Sequence, residues 1–80
     1  MSIEKISIRQ VKAARALLGW SARDLAEHSG ISYPTIARLE SENGDLGGRQ
    51  STADAIRAAL EAAGVEFTNG DQPGVRLRKG

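Results

Sequence analysis

The side chains of this 80-residue chain that are spaced to do chemistry are hydrogen-bond donors on one face of a short helix, not groups that make or break bonds. Ile36 and Leu39, three residues apart, define a buried stripe that leaves Tyr33, Pro34, Ala37, Arg38 and Ser41 largely outside. Such a face can enter a groove. The alternatives are poorly represented. The chain has no cysteine, which excludes disulfides and thiolate metal sites, and its single histidine, His28, has no companion with which to hold zinc. No nucleophile–base constellation and no phosphate-cradling glycine motif occurs. Asp24 and Asp54 fit helix caps, and His28 reads as a helix-surface residue. The expectation is a protein that is no enzyme and needs neither metal nor cofactor.

Those donors need a scaffold, and residues 22 to 41 spell one out: two short helices hinged at Gly30. Ser21 and Asp24 form a capping signature for a helix from Ala22 to about Ser29. Leu25 and Ala26 sit on its inner face, with Ala26 small where the second helix must cross closely. Gly30 falls where the first helix must end in a left-handed conformation, Ile31 plugs the turn, and Ser32 caps a helix from Tyr33 to about Glu42. Pro34 is tolerated in that first turn.

The flanking segments complete a small helical domain. Ser7 with Gln10 reads as a capping box, and Ile6 with Val11 as its hydrophobic staple. Val11, Ala14, Leu17 and Leu18 continue as the inner stripe of a first helix, Arg9, Lys12 and Ala16 lie outside, and Gly19 closes it ahead of Trp20, a core anchor. Asn43-Gly44 ends the third helix, and Asp45 to Gln50 is a loop by composition. Ser51 and Asp54 cap a fourth helix whose stripe is Ile56, Ala59, Leu60 and Ala63, stopping at Gly64. The period then changes. Val65 to Thr68 and Val75 to Arg78 alternate apolar with polar, and Asn69-Gly70 and Pro73-Gly74 are turn residues, so the tail reads as a β-hairpin with Val65, Phe67, Val75 and Leu77 facing the helices. A lone hairpin is marginal in water, and its free edge can pair with that of a second copy.

Size and charge set the remaining bounds. One domain of this length buries a modest core, which favours a partner subunit that covers part of it. No apolar run approaches the ~18 residues of a membrane span, and Met-Ser-Ile-Glu-Lys lacks the apolar core of a signal peptide, so a cytoplasmic, non-membrane protein is expected. The formal charge is only +1, from 11 basic and 10 acidic residues, with a slight basic excess in the first half. That balance says little about a partner.

Arg15, Leu18-Gly19, Leu25-Ala26, Gly30-Ile31-Ser32, Ile36 and Leu39-Glu40 together resemble the phage-repressor and Cro-like helix-turn-helix proteins, the XRE family, over roughly residues 8 to 63. The resemblance implies a mainly α fold: a four-helix, lambda-repressor-like helix-turn-helix domain over residues 1–64, followed by a short C-terminal β-hairpin over residues 65–80 that can serve dimerisation. It implies a sequence-specific regulator of transcription, a repressor that binds a palindromic operator in double-stranded DNA as a homodimer. An alternative from the same family is the antitoxin of a toxin–antitoxin pair, which holds a toxin protein as well as DNA.

Residue by residue, the resemblance places Ser32, Tyr33, Pro34, Thr35 and Arg38 at base edges or nearby phosphates in the major groove. Arg38 would donate two parallel bonds to guanine O6 and N7, and Tyr33 would meet a thymine methyl or a phosphate. Pro34 and Ala22 stand where many relatives carry hydrogen-bonding residues, so Ala22 offers only its backbone. Ser21, Ala22 and Arg23 open the second helix toward a phosphate, and Asn43 and Arg49 belong to the loop that approaches the DNA backbone again. The resemblance also implies an Arg15–Glu40 ion pair between the first and third helices.

Overall fold

The computed structural model describes residues 6–68 and 73–78. The Asn69-Gly70 turn and the Met-Ser-Ile-Glu-Lys start lie outside the described residues. Four helices are followed by two strands: α1 (Ile8–Leu18), α2 (Ala22–Ser29), α3 (Tyr33–Glu40), α4 (Gln50–Ala62), β1 (Val65–Thr68) and β2 (Gly74–Leu77). The fold is mainly helical, as expected.

Three of the four helices start at the side-chain caps legible in the sequence. Ser7 Oγ accepts the Gln10 N–H at 3.1 Å, while the Ser7 N–H donates to Gln10 Oε1 at 2.8 Å. Ser21 and Asp24 repeat this exchange at the start of α2, at 3.1 and 2.9 Å. Ser32 Oγ accepts the Thr35 N–H at 3.4 Å to open α3, whose Pro34 forfeits no helical bond because first-turn amides have no acceptor. Gly30 ends α2 at φ 77°, a left-handed conformation that costs a residue with a Cβ about 1–2 kcal/mol.

The fourth helix departs from expectation. It begins at Gln50 with Arg49 as its N-cap and no side-chain cap bond, so Ser51 and Asp54 do not cap it. Asp54 Oδ1 instead accepts from the Gln50 side chain at 2.8 Å. The cause lies upstream. Leu46 is anchored in the core and Gly48, at φ 80°, turns the chain, so the helix starts early and carries Ser51 past the capping position.

The core comprises Ile6, Ile8, Val11, Ala14, Leu25, Ile36, Leu39, Leu46, Ile56, Leu60 and Val65. Leu17, expected on the inner stripe of α1, is 44% exposed. A three-residue step falls about 60° short of a helical turn, so a stripe through Ile8, Val11 and Ala14 has drifted off the core by Leu17, and Leu18 packs there instead. Trp20 is also not a central anchor. Coming after α1 has ended, it packs at the edge of the core, half-buried, and stacks on the exposed His28 with ring centroids 4.1 Å apart.

The segment from Asp45 onward is a loop, as read, but a tethered one. The Ile8 N–H donates to Gly44 O at 2.8 Å and the Leu46 N–H to Ile6 O at 2.9 Å, so the chain ahead of α1 is stitched to the chain after α3.

The strands pair antiparallel in the register Val65 to Leu77, Glu66 to Arg76, Phe67 to Val75 and Thr68 to Gly74. Val65 is buried, and Phe67 and Val75 pack against the core. Leu77 lies over Gly64, which has no side chain to cover it, and is 42% exposed, so the expected apolar face is only partly covered. Gln10 pins the other end. Its Nε2 donates to Thr68 O and Gly74 O, both at 3.0 Å, so one buried amide joins the start of α1 to both strands.

Candidate nucleic-acid interface

The inner faces of α2 and α3 hold the outer ones in place. Leu25, Ile36 and Leu39 are fully buried, and Ala22, Ala26 and Ile31 pack against that core. Arg15 then locks α1 to α3. Its Nε donates to Glu40 Oε2 at 2.9 Å and its Nη2 to Glu40 Oε1 at 2.7 Å, while Nη1 reaches Trp20 O at 3.0 Å. This fork-to-fork pair is the one the resemblance implies, and it fixes the tilt of α3 through a rigid, planar contact.

On the outer face of α3, Tyr33, Pro34 and Arg38 are exposed. The Arg38 side chain is 62% exposed and lies 3.9 Å from Glu42, a loose contact that leaves its donors available. Ser32 and Thr35 are turned toward each other: Ser32 Oγ donates to Thr35 Oγ1 at 2.9 Å, and Thr35 is half-buried. A cleft between α3 and the start of α4 is lined by Thr35, Arg38, Leu39, Gly48, Arg49 and Thr52. It brings Arg38 and Arg49 to one place. Asn43 is exposed in the loop beyond α3 and does not line this cleft.

At the start of α2, Ser21 and Asp24 satisfy each other, which leaves the amides of Ala22 and Arg23 as first-turn donors without an intrahelical acceptor. Ala22 is half-buried, so only its backbone faces out, while Arg23 is exposed. The Arg23 guanidinium lies over the Tyr33 ring, 4.4 Å from its centroid. Local spacing carries no sign of this contact, since it forms between two helices, nor of Thr52 beside the two arginines.

A family model described as helix-turn-helix matches residues 11–68. The chain belongs to the Cro- and phage-repressor-like helix-turn-helix family. No curated protein matches it. The match reaches past α4 into β1, and it makes this helix-turn-helix protein a DNA-binding regulator of transcription in the general sense. Among the described residues, no helix is long and apolar enough to cross a membrane, and no group of three or more His, Asp or Glu side chains is placed to hold a metal ion.

Proposed function

We propose that this protein is a sequence-specific repressor that binds a palindromic operator as a homodimer, placing two copies of α3 in successive major grooves about 34 Å apart. The observation that carries this reading is the outer face of α3: Arg38 is exposed, with only a loose contact to Glu42, on a helix whose other face is fully buried. Its guanidinium would read a guanine edge, and Thr35 and Pro34 would line the same groove. Ser21, Ala22 and Arg23 at α2, with Asn43 and Arg49 beyond α3, would hold phosphates and set register without reading sequence. Pairing of two copies is supported by the hairpin, a sheet of only two strands among the described residues, whose Leu77 is exposed.

Selection of bound duplexes from a random pool, followed by binding at several salt concentrations, tests this directly. Expected are a two-fold symmetric site, affinity that falls with salt, and relaxed preference at one base pair in Arg38→Ala, worth about 1–3 kcal/mol of discrimination. Binding with no sequence preference and no salt dependence in a folded sample overturns it. Co-purification of a small neighbouring protein would move the assignment toward an antitoxin.

A further inference from the structure

Tyr33 sits on the outer face of α3, where an aromatic side chain would ordinarily be taken for a base-contacting group. Its contact in the structure is a different one. The ring faces the Arg23 guanidinium at 4.4 Å, across the gap between α2 and α3. Arg23 is exposed, and among the described residues no carboxylate lies within ion-pair distance of it. Of the other exposed arginines, Arg76 donates to Glu66 at 2.9 Å and Arg78 and Arg38 lie more loosely beside Glu66 and Glu42, while Arg9 and Arg49 have no acidic partner within that distance among the described residues and lie over no ring.

The difference matters chemically. An arginine bonded to a carboxylate spends N–H donors on that partner, whereas one placed over a ring is attracted by the ring's face and spends no donor on it. The backbone that carries the ring is fixed. Tyr33 is the first residue of α3, backed by the Ser32 cap and followed by Pro34, and α3 is locked to α1 through Glu40. The guanidinium is thus held over the ring, and among the described residues no carboxylate takes up its donors.

We propose that Tyr33 is a positioning residue: its ring holds Arg23 so that the guanidinium donates to a backbone phosphate of the duplex, and Tyr33 itself reads no base. The inference rests on the DNA-binding reading above. It moves Tyr33 from sequence readout to affinity, which leaves Arg38 to carry the direct side-chain reading.

The test uses the full chain, the duplex selected from the random pool, and a panel of single-base variants of that duplex. Tyr33→Leu removes the ring face and keeps bulk, and should weaken binding about two- to fivefold on every duplex alike, with base preference unchanged. Tyr33→Phe keeps the face and should bind as the parent does. Arg23→Ala should lower the salt slope by about 1, and adding Tyr33→Leu to it should cost nothing further. In the free protein, the ring should shift the Arg23 side-chain proton resonances, and Tyr33→Leu but not Tyr33→Phe should abolish that shift, a readout independent of DNA. A changed base preference in Tyr33→Leu, losses that multiply in the double variant, or no ring-induced shift in the parent would overturn the proposal. If the parent binds no duplex at any salt concentration, the DNA-binding reading falls and takes this one with it. If the parent binds and Tyr33→Leu changes nothing, only this one falls.

Discussion

Replacing Gln10 by glutamate exchanges one NH2 group for one oxygen and leaves shape almost unchanged, yet it should be among the most damaging single changes to this fold. Gln10 is 5% exposed, and its Nε2 donates to two carbonyls, Thr68 O and Gly74 O, each at 3.0 Å. Its Oε1 accepts the Ser7 N–H, a role a carboxylate keeps. Losing two buried bonds costs about 1 kcal/mol each, and setting a buried carboxylate oxygen against two carbonyl oxygens adds a comparable or larger penalty, for about 3–5 kcal/mol in all. Gln10→Ala, which loses three bonds without adding charge, should cost about 2–4 kcal/mol. A domain of this size has about 4–12 kcal/mol of stability, so either change is a large fraction of it.

The pH dependence gives Gln10→Glu its own signature. Burial and the two facing carbonyls favour the protonated acid, which can donate to one of them, so the folded state raises the pKa of the new carboxyl above the unfolded value of about 4.3. The ionisation part of the penalty is therefore absent below about pH 4 and grows as pH rises toward the folded value. Urea unfolding followed by circular dichroism, with the difference from the parent taken at pH 7 and pH 4.5, checks both claims. A difference under about 1 kcal/mol at pH 7, or one that grows as pH falls, would refute the reasoning.

Other expectations follow from the same geometry. Glu40→Ala should cost about 3 kcal/mol, because it strands a largely buried Arg15, while the double change Arg15→Met with Glu40→Leu should recover most of that in the same unfolding assay. Gly30→Ala should cost about 1–2 kcal/mol although a Cβ there meets nothing within 4 Å, since the penalty is one of backbone conformation; a neutral result would show that the turn relaxes. Leu77→Glu should convert a dimer to monomer in sedimentation while the Tm of the helical core stays within a few degrees, and an undiminished dimer would move the interface away from the hairpin.

What the sequence made legible is what a few neighbouring residues decide. Ser7 with Gln10, Ser21 with Asp24, and Gly30 each settle a helix end within one turn, and all three behave as read. Ser51 with Asp54 has the same signature and fails, because Leu46 and Gly48 start α4 a step too soon. Apolar character alone misled at Leu17 and Trp20, where the drift of a three-residue stripe and the end of a helix put large side chains outside or at the rim. On the interface, the exposure of Arg38 followed from the period of α3. The Arg15–Glu40 lock was visible only through family likeness, and the stacking of Arg23 on Tyr33 and the second role of Gln10 depend on partners in other elements.

The two bonds that Gln10 sends to the hairpin span 58 and 64 residues of chain. During synthesis the first helix is therefore made well before the strands it grips, and its buried face stays incomplete until β2 has left the ribosome. Because loop closure of that length precedes any reward from the contact, docking of the hairpin is expected to be a late event in folding. Amides of β1 and β2 should then exchange with solvent in the same cooperative opening as those at the start of α1, joining the first helix and the hairpin into one unit of unfolding.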